Sequence, residues 1–88
     1  TTSKILKIVT IGKSWFVFFS LSKKFKKYVI PKGSIAINGV SLTISKILNN
    51  GFQINVIPKT LKLTNLVNIK KNDLVNIEFD VLGKYIKN

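Results

Sequence analysis

Two adjacent residues, Asn38 and Gly39, constrain this chain more than any others. A two-residue reversal between strands needs positive φ at both central positions, which asparagine and glycine adopt at little cost and most residues do not. With Ser34-Ile-Ala-Ile37 before it and Val40-Ser-Leu-Thr43 after it, the pair specifies a β-hairpin and its register. Ile37 falls opposite Val40, Ala36 opposite Ser41, Ile35 opposite Leu42 and Ser34 opposite Thr43. Because side chains alternate across a strand, the aliphatic residues gather on one face and the hydroxyls on the other, with Lys32 on the hydroxyl side. A solvated outer face accounts for Ser34, Ser41 and Thr43 as well as a ligand surface does, so the pattern alone does not choose.

The rest of the chain alternates in the same way. Ser3 to Ile11 is rich in β-branched residues, and Gly12-Lys13 turns it into Ser14-Trp-Phe-Val-Phe-Phe19, which predicts two paired strands. Ser20 or Ser22 is placed to cap a short helix in which Leu21, Phe25, Tyr28 and Val29 recur at helical spacing and Lys23, Lys24, Lys26 and Lys27 face solvent. Asn49-Asn-Gly51 marks a turn into a strand from Phe52 to Ile57, with Phe52, Ile54 and Val56 on one face. Pro58, lacking an N–H that a first helical turn would leave unpaired anyway, predicts a second short helix with Leu63, Leu66 and Val67 on one side. Lys70 to Asp73 reads as a polar turn and Leu74 to Phe79 as the last clear strand, with another helix starting at Val81. Five or six strands in so short a chain favour a closed barrel, since closure removes the free edges of a small sheet. The predicted fold is therefore all-β, a small six-stranded Greek-key barrel with two short helices.

Composition removes several classes of chemistry. Eighty-eight residues make one domain with one small core. Without cysteine or histidine the chain has no disulfide, no thiolate or imidazole metal site and no imidazole base. No apolar run reaches the ~20 residues of a membrane-spanning helix, so no membrane role is indicated and the cytoplasm is the default location. The formal charge of +12 attracts polyanions, yet every basic residue is lysine. The bidentate forks that read bases are absent, which argues against a specific nucleic-acid partner.

The string from Ser34 to Thr43, together with Asn55-Val-Ile-Pro-Lys-Thr-Leu-Lys-Leu-Thr-Asn-Leu66 and Asn72-Asp-Leu-Val-Asn-Ile-Glu-Phe-Asp80, resembles the carboxy-terminal lumazine-binding barrel of riboflavin synthases. That resemblance covers nearly the whole chain and implies an enzyme. Such enzymes dismutate two 6,7-dimethyl-8-ribityllumazine molecules, moving a four-carbon unit from one to the other to give riboflavin and a ribitylamino-pyrimidinedione, with no cofactor. Each active site is built from two similar barrels on neighbouring subunits of a homotrimer. Residues 1–88 would be one such barrel, the second half of a two-barrel protein, since neither an amino-terminal barrel nor the family's Gly-His segment precedes Thr1.

Matched by motif, the substrate-binding residues would be Lys32, Ser41, Leu42, Thr43, Val56, Ile57, Pro58, Lys59, Thr60 and Leu61. Extended backbone can meet the edge of a flat polar ring, Ile57 and Pro58 its face, and Thr43, Thr60 and Lys32 its oxygens or the ribityl hydroxyls. The resemblance puts Ser41 and Asp80 beside the chemistry. A serine without histidine is a poor base, so Ser41 is assigned to hydrogen bonding, proton relay or adduct stabilisation. From the residues alone, Ile57 reads equally as core, Pro58 as a helix starter and Asp80 as a strand-end charge. Two other functional classes remain: a non-catalytic lumazine- or flavin-binding module, and a basic barrel stacking bases on Trp15 and Phe16.

Overall fold

The computed structural model describes residues 1–79. Six strands close into one barrel: β1 (Thr2–Ile11), β2 (Ser14–Ser20), β3 (Ser34–Ile37), β4 (Val40–Leu48), β5 (Gly51–Val56) and β6 (Leu74–Phe79). Their order around the barrel is β1-β2-β5-β4-β3-β6, and every pairing is antiparallel. The β2–β3 and β5–β6 connections cross the ends of the barrel, as Greek-key connectivity requires.

The Asn38-Gly39 reversal has φ of 48° and 84°, and the β3–β4 register is the one its two-residue length dictates. Asn38 does more than turn the chain. Its backbone N–H donates to the Asn76 carbonyl at 2.8 Å, and its Oδ1 accepts from the Asn76 N–H at 2.9 Å, so the turn is tied directly to β6. Closure between β3 and β6 is fastened at that corner.

Inward-facing residues from all six strands fill the interior: Ile5, Val17, Phe19, Ile35, Ile37, Ile44, Phe52, Ile54, Val56, Val75 and Ile77 are buried. Phe19 and Phe52 stack with centroids 5.0 Å apart and planes 12° from parallel. Gly51, paired with Ser20, sits so close to β2 that an added Cβ would overlap the Phe19 carbonyl oxygen. Trp15 packs on the core from its rim rather than standing out as a stacking platform.

Both predicted helices exist in altered form. Lys23–Tyr28 is a 3₁₀ helix whose N-cap, Ser22, makes no side-chain cap bond. Ser20 instead ends β2: its hydroxyl accepts from the Lys4 N–H at 2.9 Å, and its carbonyl accepts from the Ser3 hydroxyl at 2.6 Å. A 3₁₀ helix stacks residues three apart, as Phe25 and Tyr28 are, and here no capping bond extends the element. After Pro58 the chain forms α1 (Pro58–Leu63) and then a separate 3₁₀ helix, Asn65–Asn68. The break is Thr64, whose hydroxyl donates to the Thr60 carbonyl at 2.7 Å and accepts from the Leu66 N–H at 3.2 Å. Consequently Leu61 and Leu66 face the core, whereas Leu63, expected beside Leu66, is 74% exposed. The expected helix from Val81 and the candidate residue Asp80 lie outside the described residues.

Candidate functional site

On the outer surface of the barrel, β4, β3 and β6 run side by side. Register places Ser41 opposite Ala36, and Ala36 opposite Glu78, so the three side chains form a row across three strands on the solvent side. Neighbouring strands lie ~4.8 Å apart, which sets the serine and the carboxylate roughly 10 Å from each other with only a methyl group between them. The low centre of that row is the floor of a groove of about 310 Å³, lined by Ser34, Ile35, Ala36, Ser41, Glu78 and Phe79. Small-molecule sites run from ~300 Å³ upward, so the groove accommodates one face of a flat heterocycle and leaves the other open.

The groove offers hydroxyl donors and acceptors at Ser34 and Ser41 and an acceptor-only carboxylate at Glu78. An amide-like ring edge, alternating carbonyl oxygen and N–H, matches that set. Phe79 has its ring against Phe25 at 5.6 Å and Tyr28 at 5.3 Å, so the lysine-rich 3₁₀ helix borders the groove at one end. Glu78 is the residue sequence reading missed. Only barrel closure sets β6 beside β3, and hence Glu78 in one row with Ala36 and Ser41.

The other candidates lie as follows. Thr43 is exposed on the same face, paired with Ser34 one step beyond the groove. Leu42 is turned the other way and packs against the core. Lys32 is exposed and holds φ of 66°, in the third position of a turn with Pro31 second and the Gly33 N–H donating to the Ile30 carbonyl at 2.8 Å. That left-handed conformation suits glycine better than lysine. It persists because the chain is bolted to β4 on both sides: the Lys32 N–H donates to the Ile44 carbonyl and the Ile44 N–H to the Gly33 carbonyl, each at 2.8 Å.

Val56 and Leu61 are buried in the core, leaving only their backbone for a ligand. Ile57 is 56% exposed, Pro58 and Thr60 are half-buried, and Lys59 is exposed. None of the residues from Val56 to Leu61 lines the groove. The structure thus brings Ser41 together with Ser34 and Glu78, and sets the proline junction at the end of the barrel where β5 stops and antiparallel β4 begins. Among the described residues no helix is long and apolar enough to cross a membrane.

Residues 1–80 match the model of the lumazine binding domain. The chain is 40% identical over 86 residues to a riboflavin synthase of Actinobacillus pleuropneumoniae, covering 98% of this chain and 40% of the relative. It is also 40% identical to a riboflavin synthase of Buchnera aphidicola subsp. Schizaphis graminum, covering 97% of this chain and 41% of that one. The chain therefore spans about two-fifths of the length of these relatives. Among solved structures, LumP complexed with 6,7-dimethyl-8-(1'-D-ribityl) lumazine superposes with a TM-score of 0.82 at 26% identity, over 89% of this chain and 44% of that one. LumP complexed with flavin mononucleotide gives 0.81 at 26% identity, with the same coverage. By the family model that matches nearly all of it, and by a barrel shared with proteins of that kind, this chain belongs to the lumazine-binding domain family.

Proposed function

We propose that this barrel is one substrate-binding half of a riboflavin synthase. The observation that carries the reading is the groove over Ala36, with Ser34, Ser41 and Glu78 around it, on a chain of the lumazine-binding family. A dimethyl-ribityllumazine ring laid there receives hydrogen bonds from the Ser41 and Ser34 hydroxyls at its carbonyl oxygens and donates a ring N–H to Glu78. Thr43 and Lys32, beyond Ser34, serve the ribityl hydroxyls. Ile57, Pro58 and the backbone of residues 56–61 belong to the surface that closes over the ring when a second barrel docks.

The dismutation needs a proton taken from a ring methyl group and nucleophilic addition to the second ring, after which a four-carbon unit passes from donor to acceptor. Ser41 hydrogen-bonds the ring and steadies the adduct, while Asp80 supplies a carboxylate near the reacting atoms. A groove open on one side covers one ring only. The second ring comes from a homologous barrel, in a homotrimer when the protein is full length, and the cytoplasm is the proposed setting.

Fluorescence titration of 6,7-dimethyl-8-ribityllumazine with the 88-residue chain tests the reading. Saturable binding is expected, weakened about two- to tenfold by each of Ser41→Ala and Thr43→Val with unchanged far-UV dichroism, the worth of one hydrogen bond. Absence of saturable binding would refute the proposal. A second reading, a non-catalytic lumazine- or flavin-binding module, is favoured by the open half-site itself. Riboflavin formation from the lumazine separates the two.

A further inference from the structure

On the side of the barrel away from the groove, β1, β2 and β5 present an outer face that the proposed function leaves unused. β2 stands three strands from β3 in either direction around the six-stranded order, so the two faces look opposite ways. Register lays out two rows across this second face: Lys7, Phe18, Gln53 and Lys46 in one, and Val9, Phe16 and Asn55 in the next. The alternate residues of the same strands, Val17, Phe19 and Ile54, are buried in the core, which fixes Phe16 and Phe18 as outward. Two half-buried phenyl rings therefore share the centre strand, with an exposed lysine at each end of one row. The Lys7 ammonium lies 4.6 Å from the Phe18 ring centre, so a face of that ring, not only its edge, can be reached from outside. Gln53 donates from Nε2 to the Asn55 Oδ1 at 2.9 Å, which puts the Nδ2 of the exposed Asn55 amide on the prong turned away from Gln53. Neither carboxylate of the described residues stands in these rows: Glu78 is on β6, and the Asp73 carboxylate accepts from the Lys70 N–H at 2.8 Å in the turn before it.

We infer that this face binds a single-stranded polynucleotide, with bases stacked on Phe16 and Phe18 and phosphates drawn to Lys7 and Lys46. Stacking on an aromatic ring is indifferent to base identity because every base has a π-face, so the lack of arginine forks, which removes sequence reading, does not weigh against it. Sequence alone offered Trp15 and Phe16 as the stacking pair, but neighbours on a strand point opposite ways: Trp15 packs on the core, and Phe18 shares the face of Phe16. Two residues along a strand span ~6.8 Å, twice the ~3.4 Å rise per nucleotide of a duplex strand, so the rings receive successive bases only from a strand that is stretched and unpaired. In the free protein the Lys7 ammonium occupies the place over Phe18 that a base would take. At an exposed site that contact is weaker than base–aromatic stacking, so a base displaces the ammonium, which swings on its flexible stem to the adjoining phosphate. The formal charge of +12 draws the polyanion to the barrel, and the rings select its unpaired form.

Fluorescence anisotropy of a labelled oligothymidylate of about ten nucleotides, titrated with the 88-residue chain, tests this. Saturable binding is expected at about 0.1 M salt, with a duplex of the same length competing poorly. Phe16→Leu/Phe18→Leu keeps apolar bulk and removes both π-faces; it should weaken binding at least about tenfold while the urea midpoint stays close to that of the parent. Lys7→Gln/Lys46→Gln should lower the slope of log affinity against log salt by about one. Because the groove lies on the other side of the barrel, saturating lumazine should leave oligonucleotide affinity within about twofold. Undiminished binding by the leucine variant, or displacement as readily by the duplex or by polyglutamate, would reduce the effect to bulk charge and overturn the inference. Competition by lumazine would overturn it too, by moving the strand to the groove. Self-association of the parent chain that the leucine variant abolishes would assign the face to a second copy instead.

Discussion

Asn38 shows how much one side chain settles in a small barrel. Its positive φ is what the turn demands, and glycine would meet that demand as well; its Oδ1, which accepts from Asn76 on β6, is what glycine lacks. Asn38→Gly therefore keeps the hairpin but should lower stability by about 0.5–1.5 kcal/mol, the net worth of one exposed-to-intermediate hydrogen bond, seen as a lower urea midpoint with unchanged slope. Gly51 is the contrasting case. It needs no unusual φ, only the absence of a Cβ against the Phe19 carbonyl. Gly51→Ala forces β5 away from β2 beside the stacked Phe19 and Phe52, and should cost about 3 kcal/mol, the upper end for overpacking, measured by the same denaturation. At Ser41, under the proposed function, the expected effect is on ligand rather than fold, because the residue is exposed and lines the groove.

Among the elements, the hairpin and the segment after Pro58 differ in how locally they are specified. The β3–β4 pair has its register written in four residues on either side of a two-residue turn, and alternation does the rest. After Pro58 the chain could run as one helix, but Thr64 stops α1 by bonding back to Thr60 and starts the next turn by accepting from Leu66. That break rotates the apolar face, so Leu61 and Leu66 reach the core and Leu63 does not. Thr64→Ala removes a cap and should destabilise the barrel by about 1 kcal/mol. Hydrogen exchange checks it: the Leu66 amide should lose protection, while amides of the β3–β4 ladder keep theirs. Thr64→Ser, which retains the hydroxyl, is expected to restore most of the protection.

For the whole molecule the deciding property is closure. Six strands close the barrel, and the interior is filled with aliphatic and aromatic side chains, so the groove lies outside it, over β4, β3 and β6. Under the proposed function, a groove on an outer surface exposes one face of whatever it binds, and transfer between two rings would need that face covered by another barrel. The 88-residue chain is accordingly expected to bind lumazine saturably yet form riboflavin at least about 100-fold more slowly, per site, than a two-barrel relative, the scale of rate lost when two reactants are no longer held together. Stopped-flow absorbance of the riboflavin product checks this, and turnover matching the two-barrel enzyme would refute the half-site account.

The sequence by itself determined what depends on near neighbours. Asn-Gly fixed a turn and a register, two-residue alternation sorted inner from outer faces, and the lack of cysteine and histidine limited the available chemistry. The motif blocks pointed to lumazine before any contact was known. Only the tertiary structure decided which strands are neighbours across long separations. Glu78 meets Ser41 across Ala36 because β6 closes on β3, some forty residues apart in sequence, and no local periodicity carries that information. The same closure left the segment from Val56 to Leu61 off the groove and set Phe25 and Tyr28 of the first 3₁₀ helix against Phe79 at its edge. Backbone conformation answers to adjacent residues, whereas a binding surface is assembled by packing between distant ones.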